Sequence, residues 1–160
     1  MSTRATADIS DQYGDSLRVL APVFRDFGAV RVFAGPVSTV KVFEDNSLVR
    51  SALETPGAGR VLVVDGGGSL RCALVGDNLA RLGQQNQWAG IVVYGCIRDA
   101  VPMREIAIGV KALATNPRRS VKKGEGERDV IVRFAEVVIA PGDYLYADED
   151  GVVVAAQALS

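Results

Sequence analysis

Residues 61–99 read VLVVDGGGSLRCALVGDNLARLGQQNQWAGIVVYGCIRD, and this stretch decides the fold. Val61–Val64 and Gly90–Tyr94 are short apolar runs. Runs of that length and composition suit strands. Between them Asp77–Gln85 carries Leu79, Ala80 and Leu82 on one helical face. Strand, helix and strand in succession make a βαβ unit, so the two strands are expected to be parallel. Their carboxyl ends then lie together, and that end of an open α/β sheet is where ligands bind. Gly76-Asp77 opens the helix there, and Arg98-Asp99 follows the second strand. Backbone donors, a guanidinium and carboxylates therefore come off one end of the sheet, which is the predicted active site.

Outward from this unit the patterns are shorter. Thr6–Asp15 reads as a helix with Asp8 and Ser10 as candidate caps and Gly14 as its end. Val30–Ala34 reads as a strand, Gly35-Pro36 as a turn, and Val37–Phe43 as a second strand. Asp45-Asn46-Ser47 is a capping cluster before a short helix at Leu48–Leu53, which Pro56-Gly57-Ala58-Gly59 ends. Leu70–Val75 suits a short strand, Met103–Ile106 a short helix and Ile108–Leu113 a strand. Thr115–Glu127 is a polar loop with Arg118, Arg119, Lys122 and Lys123. Val130–Phe134 and Glu136–Ile139 alternate like strands, and Tyr144–Ala147 and Gly151–Val154 flank the hairpin signal Asp148-Glu149-Asp150-Gly151. A short helix is expected at Ala155–Ser160. The chain is expected to be one α/β domain over 1–160, with a mixed sheet and a second sheet layer from the C-terminal strands.

A chain of 160 residues can bury a full core without staples. The net charge of −1 makes no case for direct nucleic-acid or membrane binding. Cys72 and Cys96 have no metal-ligand spacing, which suits a reducing compartment. Met1–Val19 has no apolar core of a signal peptide, and no apolar run approaches a membrane span, so a cytoplasmic location is expected. Histidine is absent. Imidazole acid–base catalysis, His-dependent nucleophile systems and imidazole metal sites are therefore excluded. What remains is carboxylates, Arg, Lys, backbone amides, or a metal held by oxygen.

Each candidate has a plainer alternative. Asp65-Gly66-Gly67-Gly68 resembles a nucleotide or S-adenosylmethionine loop, but Ser69–Val75 separates it from any helix, so a tight turn is preferred. Gly76–Leu79 at a helix start suits a carboxylate or phosphate, while Asp77 can equally cap its own helix. Arg98 can grip a carboxylate or enolate in a planar fork, and Asp99 can ligate Mg²⁺; alternatively both serve structural ion pairs. The basic loop residues are read as a solvated face partly neutralised by Glu125 and Glu127.

Taken together, these residues resemble a known family. Asp77, twenty intervening residues and Arg98-Asp99 resemble the signature of class II pyruvate aldolases acting on 4-hydroxy-4-methyl-2-oxoglutarate. The wider resemblance is to the RraA-like proteins, regulators of ribonuclease E activity. It is carried by FAGPVSTVKVFEDNSLV, GRVLVVDGGGSLRCALVGDNLARL, WAGIVVYGCIRD, IGVKALATNPRRS, GEGERDV and PGDYLYADEDGVVV, and covers nearly the whole chain. The resemblance implies a three-layer β/β/α swivelling-domain fold with mixed sheets and flanking helices, assembled as a homotrimer or a dimer of trimers. It implies that Gly76, Asp77, Asn78, Leu79 and Arg98 bind a small 2-oxo acid, with Arg98 and Asp77 catalytic. Asp99 would hold Mg²⁺ or Mn²⁺. The implied activity is cleavage to two pyruvates, with oxaloacetate decarboxylation as a side reaction through the same enolate. The alternative it implies is a non-catalytic inhibitor of ribonuclease E, with that type of protein as partner. One departure stands out: active relatives continue R-D-x-x-E/D, whereas this chain has Pro102 at that place. Losing a carboxylate that orders metal-bound water or substrate costs roughly 10–100-fold in metal affinity or activity.

Overall fold

The computed structural model describes residues 4–160. Met1–Thr3, the start of the segment read as lacking a signal peptide, lie outside the described residues. From the amino end the chain forms α1 (Thr6–Tyr13), β1 (Arg18–Val19), β2 (Arg25–Asp26), β3 (Phe33–Lys41), α2 (Ser47–Leu53), β4 (Val61–Asp65), β5 (Ala73–Val75) and α3 (Asp77–Gln85). It continues through β6 (Gly90–Ile97), α4 (Ala100–Met103), β7 (Gly109–Thr115), β8 (Glu127–Arg128), β9 (Val132–Phe134), β10 (Val137–Ile139), β11 (Tyr144–Asp148) and β12 (Gly151–Ala155).

Strands β3, β4, β6 and β7 are parallel neighbours, and β5 adds in parallel to the far end of β6. The apolar runs of β4 and β6 are explained by their two covered faces. Leu62, Val64, Ile91 and Val93 face α2, α3 and α4, while Val61, Val63 and Val92 face a second apolar core under β9–β12. Two β layers and one helical layer result, with α1 packed through Ile9 on the outer side of β11–β12. Among the described residues no helix is long and apolar enough to cross a membrane.

The sheet curls because β3 serves two partners in turn. Phe33–Pro36 pair antiparallel with β11, and Val37–Lys41 pair in parallel with β4. The turn expected at Gly35-Pro36 is therefore absent, and one strand runs through it. Proline cannot donate to a ladder, and Pro36 falls where β3 passes from one partner to the other. Three other expectations also shift. The cap of α1 is not Asp8 or Ser10; the Thr6 N–H and hydroxyl instead donate to the Asp148 carboxylate at 2.8 and 2.7 Å. The short helix after Asp99 begins at Ala100 rather than Met103, because Asp99 itself starts it. Ala155–Ser160 is not helical: the Leu159 N–H donates to the Tyr146 hydroxyl and the Tyr13 hydroxyl to the Ser160 carbonyl, which ties the tail down by long-range bonds.

The core has one tight seat. Gly90 and Gly109 are cross-strand partners, and the Phe33 ring lies over both. A Cβ at Gly109 would stand 2.1 Å from a ring carbon. Gly109→Ala is therefore expected to overpack this site and cost about 1–3 kcal/mol. That corresponds to a Tm lower by roughly 2–12 °C, measurable by calorimetry; an unchanged Tm would contradict the packing described.

Candidate active site

The two segments singled out at the carboxyl ends of the strands do converge. The Arg98 N–H donates to the Val75 carbonyl at 3.0 Å, which locks the end of β6 against the end of β5. Gly76 follows as the residue before α3, and the first backbone bond of that helix runs from the Ala80 N–H to the Gly76 carbonyl at 3.1 Å. The amides of Asp77, Asn78 and Leu79 precede that bond and are helix-end donors. The Asp77 N–H is occupied: it donates to Asp99 Oδ2 at 3.1 Å. Asn78 and Leu79 line the adjoining cavity.

Asp99 is held in a left-handed conformation, φ 62° and ψ 43°. Asp is among the few residues with a side chain that tolerate this region, and such strain clusters at functional sites. Its backbone carbonyl accepts the Met103 N–H at 3.0 Å, so the same residue starts α4. Gly76 is needed beside it: a Cβ there would stand 2.7 Å from Asp99 Oδ2 and 3.5 Å from Arg98 Cγ. The bare backbone thus lets the carboxylate close on the helix start, with the Arg98 stem in ordinary contact beside it. Asp77 pairs with Arg81, one turn along α3, at 2.9 Å. The Arg81 guanidinium, aided by a side-chain contact with Asp99 and opposed by partial burial, holds the Asp77 carboxyl below the usual carboxylate range.

These residues form one wall of a cavity of about 240 Å³. The opposite wall was not foreseen. It consists of Asn46, Ser47 and Arg50 at the start of α2, and Arg119, Ser120 and Lys122 from the loop before β8. By sequence alone that loop reads as a solvated basic face. It folds back because the Asp45 carboxylate, 1% exposed, organises it. Oδ1 accepts the Ser47 N–H and hydroxyl at 2.9 and 2.6 Å, and Oδ2 accepts the Lys123 and Glu125 N–H groups at 2.8 and 3.2 Å. Lys122 Nζ donates to Asn46 Oδ1 at 3.3 Å. The only trace in the sequence is that Asp45 belongs to a capping cluster; nothing local says that its second oxygen reaches Lys123.

Burial works against the charge of Asp45, but the bonds from Ser47, Lys123 and Glu125 outweigh it and hold the carboxyl at about 2. Its ordinary value in an unfolded chain is about 3.9. A depressed folded value adds stability above pH ~4, and that contribution is lost as the pH falls from about 4 to about 2. Asp45→Asn is therefore expected to lower stability at pH 6 by on the order of 1–2 kcal/mol. The gap to the unmodified chain should shrink at pH 3, as urea midpoints at the two pH values will show.

The cavity holds four cationic side chains, Arg50, Arg98, Arg119 and Lys122, against two carboxylates, Asp77 and Asp99. Such a site suits an anion with more than one charge. Neither Pro102 nor Glu105 lines it, and among the described residues no further carboxylate does. No group of three or more His, Cys, Asp or Glu gathers anywhere among the described residues. A protein-only metal cage is thus not built. A donor set of one or two carboxylate oxygens does fit Mg²⁺ or Mn²⁺, which keep waters and substrate oxygens as their other ligands. The Gly66–Gly68 segment is a turn, with φ +67° and +74° at Gly67 and Gly68, and it opens away from this cavity.

Comparison with known proteins covers nearly the whole chain. A model of the RraA-like family, described as Aldolase/RraA, matches residues 6–154. A protein of Alkalilimnicola ehrlichii that carries the provisional name 4-hydroxy-4-methyl-2-oxoglutarate aldolase is 64% identical over 154 residues, 96% of each chain. The solved structure of the RNA-processing inhibitor RraA from Thermus thermophilis superimposes with a TM-score of 0.95 at 50% identity, covering 100% of this chain and 96% of that one. A Geobacillus kaustophilus structure named S-adenosylmethionine:2-dimethylmenaquinone methyltransferase gives a TM-score of 0.94 at 50% identity, covering 98% and 97%.

Proposed function

Since this chain belongs to the RraA-like family, we propose that it is a divalent-metal-dependent lyase that cleaves 4-hydroxy-4-methyl-2-oxoglutarate to two pyruvates and decarboxylates oxaloacetate as a side reaction. One observation carries the proposal: Arg98 and Asp99 close on the start of α3 across the bare Gly76, inside a cavity with an excess of cations. Both substrates are 2-oxo acids with a carboxylate at each end, and both reactions leave the enolate of pyruvate. The Asn78 and Leu79 amides at the helix start receive the carboxylate next to the 2-oxo group. The Arg98 guanidinium faces the 2-oxo oxygen and stabilises the negative charge that develops there as the C–C bond breaks. The chemistry that Mg²⁺ or Mn²⁺ held by Asp99 would supply is Lewis-acid polarisation of that same group. Asp77, kept ionised and aimed by Arg81, orients water beside Asp99.

Arg119 and Lys122 face the far end of the substrate. Arg119→Ala is expected to raise KM for oxaloacetate about tenfold with little change in kcat, since one charge-assisted contact is worth about 1.4 kcal/mol or more. An equal loss in kcat would place Arg119 in the chemistry instead.

The test is pyruvate release from both substrates with Mg²⁺ or Mn²⁺. Release that depends on the metal and is lost in Asp99→Asn supports the reading, and equal rates in that variant defeat it. We further propose that the chain works as a homotrimer or a dimer of trimers, so light scattering should report about three or six times 16.9 kDa.

A second reading is favoured by the Thermus structure, which is named an RNA-processing inhibitor. On that reading the protein binds a ribonuclease E-type enzyme and slows RNA cleavage. Inhibition at micromolar protein, retained in Arg98→Ala, would support it, and its absence would remove it. The name of the Geobacillus protein does not transfer as readily, because the Gly66–Gly68 turn does not open into a helix here.

A further inference from the structure

A second cavity, about 490 Å³, lies on the other face of the sheet from α3. Lys41, Asp65 and Tyr94 are register partners across β3, β4 and β6, so their side chains stand in one row at its floor. Asp65 is only 7% exposed. Its Oδ1 accepts the Gly67 N–H at 2.9 Å, and its Oδ2 has no hydrogen-bond partner among the described residues. Lys41, Glu125, Glu127 and Arg133 also line the cavity. None of these charged side chains, Asp65 included, forms an ion pair among the described residues.

Two aromatic rings complete the walls. Phe43 is 58% exposed although it is a large apolar side chain. It lies against the glycine turn, where a Cβ on Gly67 would stand 2.8 Å from its ring. Tyr94 is fixed from behind by stacking on Phe134, with ring centroids 4.8 Å apart. Asp65 Oδ2 opens to the solvent of the cavity, so an N–H group of a ligand can replace water on it. Aromatic faces attract organic cations. Three carboxylates against two cations leave the mouth net negative, and the ring-lined walls suit an organic cation better than a strongly hydrated metal ion.

We propose that this cavity is a second ligand site, for a compact organic cation that presents N–H donors, a primary ammonium or a guanidinium group. The group donates to Asp65 Oδ2 and lies beside Tyr94 and the Phe43 ring, over which the Arg71 guanidinium already stands at 5.7 Å, with Glu125 and Glu127 at the mouth. The proposal rests on no part of the lyase reading. Two sources carry the required chemistry: a free small amine, or a Lys or Arg side chain of a second copy of this chain.

The probe is agmatine, which carries both groups, followed by calorimetry and by ligand-detected NMR on the full chain. N-butylurea, which carries neither an ammonium nor a guanidinium group, serves as the neutral control and should not compete. Agmatine should bind the unmodified chain and bind Asp65→Asn at least about tenfold more weakly, while Asp99→Asn binds it unchanged. Phe43→Ala, a change at an exposed position, should weaken it about threefold and keeps the test valid if Asp65→Asn does not fold. If a second copy fills the site, agmatine will not bind the assembled protein, and Asp65→Asn or Phe43→Ala will shift the assembly equilibrium at least about tenfold towards smaller species. Absence of agmatine binding together with unchanged assembly in both variants overturns the proposal, as does equal binding by unmodified chain and variants.

Discussion

Arg98→Ala is expected to lower kcat for pyruvate release about a hundred- to a thousandfold, the usual cost of removing one preorganised donor from developing negative charge. The argument is geometric. The backbone of Arg98 is pinned to Val75 at 3.0 Å, so its side chain leaves β6 from a fixed point. The stem then passes the helix start in ordinary contact, 3.5 Å from where a Cβ on Gly76 would stand. A contact that serves only charge developing in the transition state lowers kcat and kcat/KM together. Lysine should rescue little, because a point charge on a flexible stem does not reproduce a planar fork. Stopped assays under substrate saturation, with circular dichroism to confirm the fold, check this. A loss of less than threefold would move Arg98 out of the chemistry.

Asp99→Asn is expected to be as damaging, for a different reason. Asparagine keeps both structural duties of Asp99: it tolerates the left-handed backbone, and its side-chain oxygen can still accept the Asp77 N–H. What it loses is the negative charge. Mn²⁺ affinity measured by calorimetry should fall by at least roughly a hundredfold, more than is typical for a supporting residue. Pyruvate release should fall with it, by about a hundred- to a thousandfold. Folding should change little, so the Tm should stay within a few degrees. Asp99→Ala is the less informative change, since it removes the amide acceptor and the backbone tolerance as well. Full Mn²⁺ affinity in Asp99→Asn would transfer the metal role to other residues.

The position of Pro102 now has a structural meaning. It lies inside α4, in the first turn, where proline costs least. It does not line the cavity, and no acidic residue among those described takes its place there. The expected activity therefore rests on Arg98, Asp99 and the helix start, without a further carboxylate to order water.

Much of this was legible because it is local. The apolar runs of β4 and β6, the spacing of Leu79 and Ala80 in α3, and the Asp148–Gly151 hairpin each follow from a handful of neighbouring residues. Their tertiary surroundings agree with those local preferences. The parallel order of β4 and β6 follows as well, since a strand–helix–strand unit has few other ways to pack. Arg98 and Asp99 could be placed at the candidate site for the same reason: chain connectivity alone brings the ends of β5 and β6 beside the start of α3.

Other features depended on contacts between distant residues. Gly35-Pro36 looks like a turn until β11 and β4 claim the two halves of β3. The last residues look helical until Tyr13 and Tyr146 bind the tail. Arg119 and Lys122 look solvated until the buried Asp45 gathers the Lys123 and Glu125 amides and turns their loop inward. By itself, then, the sequence determined the βαβ frame and one wall of the site, because hydrophobic periodicity and glycine placement act over a few residues. The tertiary structure alone decided the opposite wall. A buried carboxylate takes whatever donors the fold brings within reach, and no local pattern states which donors those are.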